Sequence, residues 1–164
     1  MKYTAAYKSP LGEILLAADE KGLTGLWFAG AKYFGNGLRQ DHHPGDLPVF
    51  DQAKQWLDIY FSGKNPDFMP AVHLEGTPFR LQVWELLKKI PYGQTMTYGQ
   101  IAEEIKEKRG LASMSAQAVG GAVGHNPISI IIPCHRVVGT DGSLTGYAGG
   151  IEKKSLLLTL EGTL

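Results

Sequence analysis

An α+β fold is predicted for this chain of 164 residues on three observations. Residues 2–28 read as short strands separated by tight turns, several later segments carry apolar residues at helical spacing, and a β-branched run over 128–132 stops at Pro133, just before the single cysteine, Cys134. The expected arrangement is an N-terminal lobe over 1–76, with a small antiparallel sheet and one helix. A mostly helical C-terminal lobe over 77–164 carries a helix-turn-helix and the cysteine.

The strands come first. Lys2-Tyr3-Thr4-Ala5-Ala6-Tyr7 is followed by a turn at Ser9-Pro10-Leu11-Gly12, then Glu13-Ile14-Leu15-Leu16-Ala17-Ala18, a turn over 19–22 and a third strand over 23–28. Between residues 29 and 48, Gly35-Asn36-Gly37, the charged residues and Pro44-Gly45 show no period, so a surface loop is expected. Its His42-His43 pair has no set of ligating partners nearby in the sequence, and no metal is expected. Phe50, Ala53, Trp56, Leu57 and Tyr60 recur at helical spacing, and Ser62-Gly63 closes that helix. Residues 64–76, with Pro66, Pro70 and a strand-like Val72-His73-Leu74, connect to the second lobe.

Thr77-Pro78 offers an N-cap and a proline in the first turn, ahead of an apolar stripe of Phe79, Val83, Leu86, Leu87 and Ile90 that ends at Pro91-Tyr92-Gly93. Thr97 and Gln100 have capping-box spacing for a second helix that turns Ile101, Ala102 and Ile105 inward. Ser115 can cap a third, Ala116-Gln117-Ala118-Val119-Gly120-Gly121-Ala122-Val123-Gly124, made of small residues. Each glycine costs about 1 kcal/mol against alanine, so the run needs a reason. Close packing against a neighbouring helix is one; entry of a thin helix into a narrow groove is the other. Only Gln117 and flanking serines could reach base edges, which favours position-tolerant over sequence-specific DNA contact. The candidate DNA-facing residues are Thr97, Ser115, Gln117, Ala118, Gly120 and Gly121. A tight turn over 138–145, the loop Gly146-Tyr147-Ala148-Gly149-Gly150 and a last helix over 151–160 complete the chain.

Composition limits the partners. Formal net charge is zero, with seven basic against nine acidic residues in 1–76 and nine against seven in 77–164, so only modest phosphate contact by the second lobe is expected. One cysteine allows no internal disulfide and no cysteine-based zinc cluster. With no apolar signal-peptide core and no stretch near the ~20 apolar residues of a membrane span, a cytoplasmic chain without membrane contact is expected.

Cys134 is followed at once by His135, which can relay a proton, and Arg136, which can satisfy carbonyls or favour a thiolate. An inert core cysteine needs neither. In a continuous strand Cys134 and His135 would point to opposite faces, so either a bridging water or a bend after Pro133 is required to connect them.

Asn126-Pro127, Ile132-Pro133-Cys134-His135-Arg136-Val137, Gly146-Tyr147-Ala148-Gly149-Gly150 and Leu156-Leu157 with Glu161-Gly162 together resemble the O6-alkylguanine-DNA alkyltransferase family. The resemblance is strong over about the last ninety residues and loose before them. It implies irreversible transfer of an alkyl group from O6-alkylguanine, and from O4-alkylthymine, in double-stranded DNA to Cys134, once per chain, by a monomer that needs no cofactor or metal. By the same resemblance His135 takes the thiol proton through water, Glu161 orients His135, Asn126 braces the local turn, and Tyr98 assists protonation. Arg136 would hold the local structure, and Val137, Tyr147, Ala148 and Gly149 would line the base pocket. Where the family carries an arginine to fill the gap left by a flipped nucleotide, this chain has Gln117, which is shorter and uncharged.

Three other readings stand beside this one. A lesion-binding protein without transfer would lack the cysteine, which is present here. A turnover thiol hydrolase would need an oxyanion-hole signature, and a helix-turn-helix regulator would need base-reading side chains and a dimerisation segment.

Overall fold

A computed structural model describes residues 2–36, 38 and 43–164, so His42 and Gly37 lie outside the described residues. The chain divides into two units, Met1–Glu75 with Pro127–Ser129, and Gly76–Asn126 with Ile130–Leu164.

In the first unit, β1 (Tyr3–Ser9), β2 (Gly12–Asp19) and β3 (Gly22–Phe28) form the antiparallel meander, and β4 (His43–Pro44) joins β1 in parallel, giving the order β3-β2-β1-β4. The first hairpin closes Ser9 on Gly12. The second closes Asp19 on Gly22, with Asp19 Oδ1 accepting from the backbone N–H groups of Lys21 and Gly22. Helix α1 (Pro48–Phe61) buries Phe50, Ala53, Trp56, Leu57 and Tyr60, the five residues of its apolar stripe. Trp56 stacks on Tyr60 with ring centroids 5.3 Å apart. Two further segments lie along β3: Leu23 bridges Val72, and Leu26 bridges Ile128 through Leu26 N–H to Pro127 O and Ser129 N–H to Leu26 O.

The run over 128–132 corrects the sequence expectation, for it is not a strand. Only Ile128 makes a ladder bridge. The chain then turns through Ile130, whose φ of 70° lies in the left-handed region that β-branched residues avoid at a cost of roughly 1–2 kcal/mol. Burial offsets that cost, since Ile130, Ile131 and Ile132 are all 2% exposed or less. The apolar character reflects a buried turn, which periodicity does not separate from a buried strand.

The second unit holds α2 (Pro78–Lys88), α3 (Tyr98–Arg109), α4 (Ala116–Gly124), α5 (Ile151–Leu160) and a two-stranded parallel ribbon of β5 (Met96–Thr97) and β6 (Val137–Val138). Its caps follow the sequence. Thr77 Oγ1 accepts from Arg80 N–H, and Thr97 and Gln100 close a reciprocal capping box. Ser115 Oγ accepts from the N–H groups of Gln117 and Ala118. Helix α3 ends on Gly110 at φ 64°, where glycine relieves the left-handed backbone. In the α2 stripe Phe79 is only half-buried, whereas Trp84, outside the expected stripe, is among the largest buried side chains. Among the described residues no helix is long and apolar enough to cross a membrane.

Candidate active site

Cys134 opens a single 3-10 turn, Cys134–Arg136, set by Pro133 and closed by Arg136 N–H to Pro133 O at 3.0 Å. This is the bend after Pro133 that a connection between Cys134 and His135 requires. The thiol is buried, at 6% exposure for the residue. Burial raises the Cys134 pKa above the ordinary thiol value, while a hydrogen bond from Asn126 and the charge of Lys154 pull it back. The resting sulfur is therefore a thiol that needs a base.

His135 is fully buried, and its Nε2 lies 2.6 Å from Glu161 Oε2. Burial lowers the His135 pKa against the opposing pull of Glu161, so the imidazole is neutral near pH 7 and able to accept a proton.

Glu161, just past the end of α5, is the hub. Arg136 donates to it through Nε at 2.8 Å and Nη2 at 3.1 Å, and Gly93 N–H donates at 3.1 Å. Burial works to raise this carboxyl, but the hydrogen bonds and charges of His135 and Arg136 override it and hold the pKa at about 2. Glu161 thus remains a carboxylate and leaves the mobile proton on His135. The remaining Arg136 arm, Nη1, donates to Ile90 O at 2.7 Å, and its guanidinium lies over the Tyr92 ring at 5.6 Å.

Asn126 Nδ2 donates to Ile132 O at 2.7 Å, tying the end of α4 to the peptide two residues before the cysteine. Val137 follows, buried in β6, and the loop residues Tyr147, Ala148 and Gly149 are half-buried. Tyr98 OH donates to Thr145 O at 3.0 Å, fastening the start of that loop, and burial raises the Tyr98 pKa.

Lys154 was missed in the sequence. It is 0% exposed, and its ammonium donates to Val137 O at 2.5 Å, Thr145 O at 3.1 Å and Gly146 O at 3.2 Å. Burial brings its pKa down to about 8. All three of its protons are used to hold the loop against the segment that follows the cysteine. A signal was present: Lys154 shares one helical face with Leu157 and Leu158, where a lysine is buried only if its charge is satisfied.

The candidate DNA-facing residues lie on α4, at its cap and at the cap of α3. Ser115, Gln117, Ala118 and Gly121 are exposed, and Gly120 and Thr97 are half-buried. A methyl group added at Gly121 or Gly124 would meet nothing within 4 Å, and at Gly120 only the Tyr98 ring at 3.8 Å. Packing among the described residues therefore does not require these glycines.

Among the described residues of the first unit, Asp19, His73 and Glu75 could offer metal ligands. His73 Nδ1 sits 2.6 Å from Asp19 Oδ2, a direct hydrogen bond, and Glu75 Oε1 is 4.0 Å away. His43 lies in β4 and is exposed.

Two family models match the chain, the ribonuclease-like domain of 6-O-methylguanine DNA methyltransferase over residues 1–74 and its DNA binding domain over 78–163. A methylated-DNA–protein-cysteine methyltransferase of Methanosarcina acetivorans is 43% identical over 98% of this chain and 99% of its own. One of Haemophilus influenzae is 41% identical over 97% and 86%. Among solved structures, Mycobacterium tuberculosis OGT in complex with DNA superposes with a TM-score of 0.84 at 42% identity, covering 97% of this chain and 92% of that one.

Proposed function

Because the chain belongs to the 6-O-methylguanine DNA methyltransferase family, we propose that it repairs DNA by moving the alkyl group of O6-alkylguanine onto Cys134, irreversibly and once per chain. The observation that carries this reading is the buried Cys134 in a turn with His135, whose far nitrogen is held by an ionised Glu161. His135 takes the thiol proton. The sulfur then attacks the alkyl carbon, the carbon–O6 bond breaks with its electron pair going to the purine, and Tyr98 supplies a proton to the departing base. Val137, Tyr147, Ala148 and Gly149 line the pocket for an extruded base, with Lys154 and Asn126 holding its walls. O4-alkylthymine offers the same kind of alkyl–oxygen bond and is a second substrate. In this reading residues 1–76 are structural and 77–164 bind DNA and carry out transfer; the protein acts as a monomer in the cytoplasm, where a thiol stays reduced.

The test is intact mass after incubation with duplex DNA containing O6-methylguanine, with Cys134→Ala as control. A gain of one methyl per chain, located on Cys134, is expected. No gain despite lesion-selective binding would leave a lesion-binding protein in place of a transferase.

The smooth face of α4 supports groove contact, since no packing among the described residues explains its glycines. Gly121→Leu is expected to lower the rate on duplex substrate by roughly tenfold or more while leaving free O6-benzylguanine unaffected and the helix no less stable, as glycine costs about 1 kcal/mol there. Gln117 stands on the same face, capped at its N–H by Ser115. Gln117→Arg is expected to speed reaction with duplex DNA and steepen its salt dependence, because a cation is added, with no change on the free base.

A further inference from the structure

Helix α4 must stand in fixed register with the pocket for a base extruded from the duplex to meet Cys134, yet it has little with which to hold itself. Its buried side chains are Val119, Ala122 and Val123, and none is larger than valine. It packs against α3 and α2, and a polar tie comes from α2. Trp84 Nε1–H donates to Ala122 O at 2.8 Å, a buried hydrogen bond between residues 38 apart. The ring is seated at its other end by Gly76, where an added methyl would lie 2.9 Å from the indole carbons. Around this point the last carbonyls of α4 are also met by His125 N–H at Ala122 O, His125 Nδ1 at Gly121 O and Asn126 N–H at Val123 O.

We infer that Trp84 is a positioning residue that sets the register between the DNA-facing helix and the cysteine pocket. This rests on the transferase reading above. The pocket itself is held by Lys154 on Val137, Thr145 and Gly146, by Glu161 on His135 and Arg136, and by Asn126 on Ile132, so a free base reaches Cys134 whether or not α4 is in register. A base delivered by duplex DNA does not, because the duplex rests on α4.

The experiment compares the parent with Trp84→Phe on two substrates, O6-methylguanine in duplex DNA and free O6-benzylguanine, by single-turnover mass spectrometry. Loss of one buried hydrogen bond is worth on the order of tenfold. The saturated rate on duplex is expected to fall by about that factor, with less than a twofold change on the free base. Should the phenyl ring fail to support folding, incorporating benzothienylalanine at position 84 keeps both fused rings and replaces only N–H by sulfur; the same split is expected. An equal fall on both substrates, or no fall on either, overturns the inference. A parent that transfers from neither substrate overturns the transferase reading instead.

Discussion

Glu161→Gln is expected to slow alkylation of Cys134 by roughly 100-fold or more, the range that a disabled general base produces. The carboxylate accepts from His135, twice from Arg136 and once from Gly93 N–H. An amide keeps one acceptor oxygen and turns an NH2 group toward those donors, so the imidazole loses its orientation and the charge that favours its protonated form. Single-turnover mass spectrometry with free O6-benzylguanine measures this without any contribution from DNA binding. Glu161→Ala goes further, leaving the Arg136 cation buried with no carboxylate, and is expected to cost about 3–5 kcal/mol in urea denaturation. The pH dependence has a definite sign. The folded pKa of Glu161, about 2, lies below the ordinary 4.5, so its contribution is present above 4.5 and is lost as pH falls toward 2. Parent and Glu161→Ala should therefore converge in stability as acid is added through that window. A mutant that stays as far below the parent at pH 2 as at pH 7 would contradict the ionic role.

Lys154→Met is the second large effect. The substitution keeps a long apolar stem but strips three carbonyls of their shared donor, at about 1–3 kcal/mol for each one left buried and unsatisfied. It also removes the cation that pulls down the raised pKa of Cys134. Transfer from O6-benzylguanine at pH 7 is expected to drop about 10-fold or more, with the gap narrowing above pH 8. In the parent, the lysine's charge is lost as pH rises through its pKa of about 8, so the rate turns downward there; the Met variant lacks that descending limb. Stability moves the other way. Since the folded pKa is below the ordinary 10.5, the unfolded chain binds more protons between 8 and 10.5, and this group's contribution to stability rises with pH across that interval. A rate profile from pH 6 to 10 identical in shape for both proteins would rule out the electrostatic role.

The resemblance carried by short motifs named Cys134, His135, Glu161, Asn126 and Tyr98 as candidates before any geometry, and it missed Lys154 and Trp84. The reason lies in the range of the forces involved. Helix caps such as Thr97 with Gln100 and Ser115 with Ala118, the hairpin turns, and the stripe of α1 join residues three or four positions apart, so a local pattern contains them whole. The hub at Glu161 joins Gly93, 68 residues away, and the tie on α4 joins Trp84 to Ala122. No local pattern holds such a pair.

By itself, then, the sequence determined the order and type of the three long strands and the five helices, the caps of α2, α3 and α4, and the family of the chain, but not β4, the β5–β6 ribbon or the turn at Cys134. Only the tertiary structure decided that residues 128–132 form a buried turn through a left-handed Ile130, because apolar burial looks alike in a strand and in a turn until the partners of the backbone groups are known. It alone decided where the lysine charge goes, since burying an ammonium depends on three carbonyls that the fold brings together from Val137, Thr145 and Gly146. And it alone removed the packing explanation for the glycines of α4, because the space beside Gly121 and Gly124 belongs to no other part of the described chain.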